Sequence, residues 1–138
     1  MNPNELIFPQ DVSVELLKAM FDAAYTHTEI DSDGDLYVKE EIGCYVLPNK
    51  NGTFIQLVAL FRSQDNSSID ARLAFVNRVN DEMIIVRGYM RKNGGFAFDY
   101  YLPIEGGTTK RNAVQSTKFF LPTVTAATKN CDNEDVVK

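Results

Sequence analysis

Three segments of the chain repeat apolar residues at spacings of three and four, which is the pattern of an amphipathic helix. The first runs from Ser13 to Tyr25, and the second from about Ile69 to Asn80. The third begins after a threonine cap, Thr108 or Thr109. Proline removes a backbone donor and disfavours helix before it, so we expect a kink or a break in this last helix at Pro122.

Between these segments the apolar residues alternate or run continuously, as in β-strands. Leu36–Lys39 alternates, and Gly43–Leu47 is a short strand that ends at a proline. Phe54–Arg62 is apolar on both faces, which predicts a central strand covered on each side. Met83–Arg91 and Phe96–Pro103 flank an Asn-Gly pair, which predicts a hairpin.

The predicted order of elements is therefore α-βββ-α-ββ-α. Short turns between neighbouring strands predict an antiparallel, five-stranded sheet, with the helices packed mainly on one face. This arrangement places the chain in the α+β class. We expect one domain over residues 1–129 and a disordered C-terminal tail over residues 130–138, which are polar and lack a pattern.

The composition of the chain argues against several classes of protein, namely membrane, secreted and nucleic-acid-binding proteins. The chain has 138 residues, 44% hydrophobic and 24% charged, as in a globular domain. No apolar run approaches the roughly 18 residues of a membrane span, and the first residues do not resemble a secretory signal, so we expect a cytoplasmic protein. The net charge of −5 argues against binding to nucleic acid. With two cysteines and no C-x-x-C pair, Cys44 is interpreted as a buried apolar residue and Cys131 as incidental.

One acidic segment could bind a metal. Glu29–Glu40 reads E-I-D-S-D-G-D-L-Y-V-K-E, which is similar to a calcium loop of the EF-hand type. The candidate ligands are Asp31, Asp33, Asp35 and Glu40, with Glu29 as a further one. Aspartate is normal where Glu29 stands, and the residues after Glu40 favour a strand instead of the exit helix. An Asp/Gly-rich tight turn that needs no metal is the alternative interpretation.

The sequence gives no support for catalysis. His27 is the only histidine, and neither cysteine lies in a recognisable nucleophile motif. The glycine pairs lack the spacing of a phosphate-binding loop. We therefore expect a protein without catalytic residues or a cofactor.

Protein binding is the remaining class. If helices cover one face of the sheet, the other face still carries apolar side chains, and a contiguous exposed patch usually marks an interface. The candidate binding residues are Phe54, Val58, Leu60, Tyr89 and Tyr100. The alternative is that these residues are core beneath a helix.

Four stretches, taken in their order and spacing, also carry a family resemblance. They are V-S-V-E-L-L-K-A-M-F-D-A-A (Val12–Ala24), D-S-D-G-D-L-Y-V (Asp31–Val38), F-V-N-R-V-N (Phe75–Asn80) and F-D-Y-Y-L-P-I-E-G-G (Phe98–Gly107). With them the chain resembles the YbjN family, described as bacterial sensory transduction regulators. The resemblance implies a fold like that of type III secretion chaperones, which are small, acidic and usually dimeric. It also implies a regulatory or chaperone-like role, with a homodimer and another protein as partner.

Overall fold

The computed structural model describes residues 2–49 and 51–138 of the chain. Its helices are α1 (Val14–Ala23), α2 (Ile69–Glu82), α3 (Lys110–Asn130) and a short 3-10 helix (Pro9–Asp11). Each α-helix begins after a hydroxyl side chain that accepts a hydrogen bond from a backbone N–H of the first turn. These caps are Ser13, Ser68 and Thr109. In the part of the chain that is described, no helix combines the length and apolar character that a membrane span requires.

The strands form a large antiparallel sheet and a small one. They are β1 (Leu6–Ile7), β2 (His27–Ile30), β3 (Leu36–Lys39), β4 (Gly43–Pro48), β5 (Phe54–Phe61), β6 (Arg87–Met90), β7 (Phe96–Pro103) and β8 (Thr108–Thr109). The large sheet has the strand order β2-β3-β4-β5-β7-β6, and the small one pairs β1 with β8. The α+β class and the antiparallel sheet are therefore confirmed.

The predicted number of strands was wrong, because the main sheet has six strands instead of five. The additional strand, β2, pairs with β3 through the turn at Asp31–Asp35. Its four residues H-T-E-I are mostly exposed, so they show no alternation of buried and polar positions. This strand exists because the turn folds it back onto β3, a constraint that a hydrophobic pattern does not record.

All three α-helices contribute to one core on one face of the large sheet. The core joins Leu17 of α1, Phe75 of α2 and Phe120 of α3 to alternate residues of the strands, such as Leu57 and Phe98. Because side chains alternate along a strand, every second residue of β5 and β7 points away from this core. The sheet therefore has a covered face and a second face, which we call the open face.

Helix α3 continues through Pro122, so the break expected there is not found. The proline is exposed, whereas Leu121 and Val124 on either side of it are buried in the core. Proline removes one helical hydrogen bond. Burial of its apolar neighbours holds the helix together across that gap.

The C-terminal segment is ordered, which corrects the expectation of a disordered tail. Val136 and Cys131 are fully buried. The backbone N–H of Gln64 donates to the carbonyl of Val136 at 2.7 Å, and that of Lys138 donates to the carbonyl of Arg62 at 2.9 Å. Two buried side chains, with backbone and side-chain hydrogen bonds to Arg62, Gln64 and Arg78, hold this segment. None of these contacts shows as a period in the sequence.

Both cysteines are buried and free. Burial raises the pKa of the Cys44 thiol to about 12. Burial and the nearby Glu82 carboxylate also raise the pKa of Cys131, whose Sγ lies 3.5 Å from Glu82 Oε2. Cys44 is the buried apolar residue that its position predicts, and Cys131, which the sequence marks as incidental, is part of the core.

The docked C-terminal segment leads to a prediction about stability. Val136→Ala should lower the free energy of unfolding by about 2 kcal/mol, because it removes buried methyl groups and leaves a cavity. The measurement is urea unfolding followed by circular dichroism. Asn133→Ala, an exposed change in the same segment, is the control and should have little effect. Equal unfolding curves for both variants would show that the segment is not docked.

Candidate functional site

The open face is formed by the side chains of the large sheet that point away from the core. Within residues 2–49 and 51–138, the three α-helices all pack on the opposite face. The main contributors to the open face are Tyr37, Tyr45, Leu47, Phe54, Gln56, Val58, Leu60, Arg87, Tyr89, Asp99 and Tyr101. The most exposed of the large apolar side chains on this face are Leu60, Tyr89 and Tyr101, whereas Val58 and Asp99 are buried among their neighbours.

Four of the five residues predicted for protein binding lie on this face, namely Phe54, Val58, Leu60 and Tyr89. The fifth, Tyr100, does not. It pairs in register with Leu57 and packs against the core. Its neighbour Tyr101 is on the open face and 40% exposed. The error is a shift of one residue, and one residue is enough to exchange the two faces of a strand.

A buried carboxylate organises the centre of the open face. The side chain of Asp99 is completely buried, and Arg87 binds both of its oxygens, with Nε–Oδ1 at 2.9 Å and Nη2–Oδ2 at 2.7 Å. Gln56 Nε2 donates to the same carboxylate at 3.1 Å. The hydrogen bond to Asp99 raises the pKa of Arg87. A buried charge is tolerated only when it is paired in this way.

Aromatic rings surround the Arg87–Asp99 pair. The guanidinium carbon of Arg87 lies 5.3 Å from the ring centroid of Tyr89 and 5.5 Å from that of Tyr101. Tyr101 also packs edge-to-face on Phe54 at 4.9 Å. These distances are within the range of cation–π and aromatic contacts, so the side chains are held in place before any partner arrives.

A second aromatic pair lies nearer the β2 edge. The rings of Tyr37 and Tyr45 meet edge-to-face with their centroids 5.1 Å apart. Partial burial raises the pKa of Tyr37. Tyrosine and arginine are among the residues that most often dominate the energetics of protein–protein interfaces. The composition of the open face therefore matches that of an interface.

A shallow groove of about 400 Å³ crosses the open face, and we call it the cross-sheet groove. Its central lining is mostly apolar and aromatic: Tyr45, Leu47, Val58, Leu60 and Tyr89, with Gln56. Asp31, Asp33 and Asp35 line one end and Arg91 the other. The groove therefore runs from the β2–β3 turn to the far edge strand, with opposite charges at its two ends.

The acidic turn at one end of the groove is held by its own backbone. Asp31 Oδ1 accepts hydrogen bonds from the N–H groups of Asp33 at 3.0 Å and Asp35 at 2.9 Å. Gly34 takes a φ of 84°, which glycine adopts without strain. Ligand atoms of the three aspartates lie within 4.8 Å of one another. The segment is thus a tight hairpin turn with three neighbouring carboxylates.

The other predicted calcium ligands do not join this cluster. Glu40 follows β3 at the end opposite the turn, about 13 Å of strand away. Its Oε1 lies 3.9 Å from Lys118 Nζ. Glu29 lies within β2, where its Oε1 is 3.1 Å from Nε2 of His27. The EF-hand interpretation was therefore wrong in its geometry, because a strand occupies the part of the loop that should bring Glu40 back to the ion.

Arg87, Gln56 and Asp99 are components of the site that were not predicted from the sequence. A signal for them exists, because Asp99 interrupts the apolar strand F-A-F-D-Y-Y-L and a buried carboxylate needs a partner. A hairpin centred on Asn93 places residue 87 opposite residue 99, as the structure shows. Turn position and charge together therefore predict the Arg87–Asp99 pair.

The acidic turn leads to a prediction that separates turn formation from metal binding. Asp31→Ala should lower the free energy of unfolding by about 1 kcal/mol, because two backbone N–H groups lose their acceptor. Asp31→Asn keeps an acceptor oxygen and should recover most of the loss. Asp33→Ala is the matched control and should have little effect. Urea unfolding with a chelator and with millimolar calcium provides the measurement. Calcium stabilisation that Asp33→Ala abolishes would contradict this interpretation.

The contact between Arg87 and Asp99 predicts that substitutions of the two residues have non-additive effects on the free energy of unfolding. Arg87→Met should lower the free energy of unfolding by about 2 kcal/mol, because it leaves a buried carboxylate with Gln56 as its remaining side-chain donor. The Arg87→Met/Asp99→Asn double variant should lose at least about 1 kcal/mol less than the sum of the two single variants. Urea unfolding of the four proteins gives this difference. Additive losses would mean that the two side chains do not depend on each other.

Comparison with known proteins gives the family. The YbjN family model, which carries the description "Putative bacterial sensory transduction regulator", matches residues 13–129. The chain is also similar to a solved protein described as "YbjN, a putative transcription regulator from E. coli". The TM-score is 0.77 with 10% identity, over 97% of this chain and 99% of that chain, a likeness that shows the fold. No curated protein matches the chain. Because the family model spans most of its 138 residues, the chain belongs to the YbjN family.

Proposed function

We propose that the chain is a non-enzymatic regulatory module that binds another protein on its open face. The observation that carries this proposal is the composition of that face, where ordered tyrosines and an arginine surround an apolar groove. Leu60, Tyr89 and Tyr101 are about 40% exposed. Large apolar side chains that adjoin one another in this way favour an interface.

The shape and charge of the site favour a protein over other ligands. The groove is wide and shallow, whereas small-molecule sites enclose most of their ligand. The net charge of −5 disfavours nucleic acid. Arg87, in the centre of the open face, is already bound to Asp99 and so is not a free phosphate ligand. A flat aromatic surface with a few charges at its rim suits a protein partner.

The family supports the regulatory part of the proposal. The E. coli relative is described as a transcription regulator, and the family as one of sensory transduction regulators. The resemblance to type III secretion chaperones adds the expectation of a cytoplasmic homodimer with a chaperone-like role. We propose all three properties for this chain. With an acidic surface, such a regulator acts by holding another protein instead of DNA.

The test is a pull-down of tagged protein from its native cell extract, with quantitative mass spectrometry. Leu60→Glu places a charge at the centre of the open face and should reduce capture of a specific partner at least tenfold. Phe119→Glu is the matched control, because Phe119 is an exposed aromatic residue of α3 on the other side of the molecule. It should capture the partner as the unmodified protein does.

The same pull-down also tests whether the chain binds to itself. A second, differently tagged copy of the chain is added to the extract, so that self-association is detected as well. If Leu60→Glu reduces neither a foreign protein nor the second copy, the open face is not a binding surface. If both variants lose the partner equally, binding lies elsewhere on the molecule, and the proposal fails.

A further inference from the structure

The two ends of the cross-sheet groove carry opposite charges. Asp31, Asp33 and Asp35 lie at the β2–β3 turn. At the opposite end, Arg91 lines both the groove and an adjoining cavity of about 460 Å³. The other charged residues of that cavity are Arg62, Lys138 and Asp65, and the last two pair with each other at 3.6 Å, which leaves the two arginines as its unbalanced charges. Leu60 is shared by the two cavities. The acidic end, the apolar centre and the basic end therefore form one continuous surface.

This order of acidic, apolar and basic parts is complementary to itself. A two-fold axis that lies between two open faces, perpendicular to the groove, places the acidic end of each copy over the basic end of the other. The apolar centres then face each other. Closed dimers use such self-complementary patches, in which a residue and its counterpart exchange contacts twice.

We infer that the occupant of the open face is a second copy of this chain, stacked face to face with the two grooves antiparallel. This inference rests on the proposed use of the open face as a binding surface, and a foreign protein that binds there has to displace the second copy. Asp33 of each copy faces Arg91 of the other, and Leu60 and Tyr89 are buried between them. The hydrophobic centre supplies affinity, and the charged ends fix the orientation.

The attraction between the charged ends of the groove also has to outweigh the repulsion between two acidic molecules. Each copy carries a net charge of −5, so two copies repel each other at a distance. A stack with the grooves parallel would place the acidic turns together and add to this repulsion. The antiparallel stack instead converts both ends into attractive contacts. Charge thus selects one of the two possible two-fold arrangements.

The experiment uses charge reversal at both ends of the groove. Asp33→Lys and Arg91→Glu are prepared separately in the whole 138-residue chain, and their masses are measured by analytical ultracentrifugation at physiological ionic strength. The unmodified protein should be a dimer. Each variant alone should dissociate at least tenfold more readily, because both of its charged contacts become like-charged. Circular dichroism establishes that each variant is folded.

Mixing the two variants gives the decisive result. In the mixed dimer, the lysine introduced by Asp33→Lys in one copy faces the glutamate introduced by Arg91→Glu in the other, so this contact is attractive with its charges exchanged. The second contact keeps its original charges, and the total charge equals that of the unmodified dimer. The mixture should therefore recover the dimer that neither variant forms well alone. Asp81→Lys on α2 and Arg111→Glu on α3 are the charge-reversal controls, and they should leave dimerisation unchanged.

The outcomes separate this inference from the proposed function. A monomeric unmodified protein, or a mixture that stays as dissociated as its components, overturns the antiparallel dimer. If in that case Leu60→Glu still abolishes capture of a foreign protein, the open face binds that protein and the proposed function stands. If Leu60→Glu changes neither assay, both proposals fail.

Discussion

The pairing of β5 with β7 is the constraint on which both faces of the molecule depend. The two strands pair without interruption from Phe54 opposite Pro103 to Phe61 opposite Phe96. In this register Leu57 and Phe98 point into the core, while Val58 and Asp99 point to the open face. A slip of one residue would bury Asp99 under the helices and expose the core phenylalanines. The register that stabilises the core therefore also builds the candidate site.

The Arg87–Asp99 pair shows how the open face avoids the usual weakness of an exposed apolar surface. An unpartnered sheet face tends to attract any apolar molecule, which leads to aggregation. Here an ion pair between the buried carboxylate of Asp99 and the exposed side chain of Arg87 occupies the middle of the face, and tyrosines with polar tips surround it. A partner must match these fixed polar groups or leave them unpaired. The pair thus contributes selectivity more than affinity.

Most of the fold could be predicted from the hydrophobic pattern, because the core elements are long and strongly periodic. The elements that could not be predicted depend on turns and hydrogen bonds, which leave no period in the hydrophobic pattern. Strand β2 is defined by the turn at Asp31, and the C-terminal segment by its hydrogen bonds to residues 62–64. The first arm of the hairpin is shorter than its apolar run suggests, since Ile85 adopts a φ of 55°. At the site, the pattern identified Leu60 and Tyr89 but exchanged Tyr100 for Tyr101.

The docked C-terminal segment has a practical consequence for the study of this protein. Lys138 of this segment lines the cavity that adjoins the basic end of the groove, together with Arg62 and Arg91. Any polypeptide joined to Lys138 would begin at the rim of that cavity. An affinity handle or fluorescent fusion joined directly after Lys138 would lie beside the surface being assayed, and a polyhistidine or acidic linker would alter the charge of that surface. Handles are therefore better placed at a site remote from this cavity and from the open face.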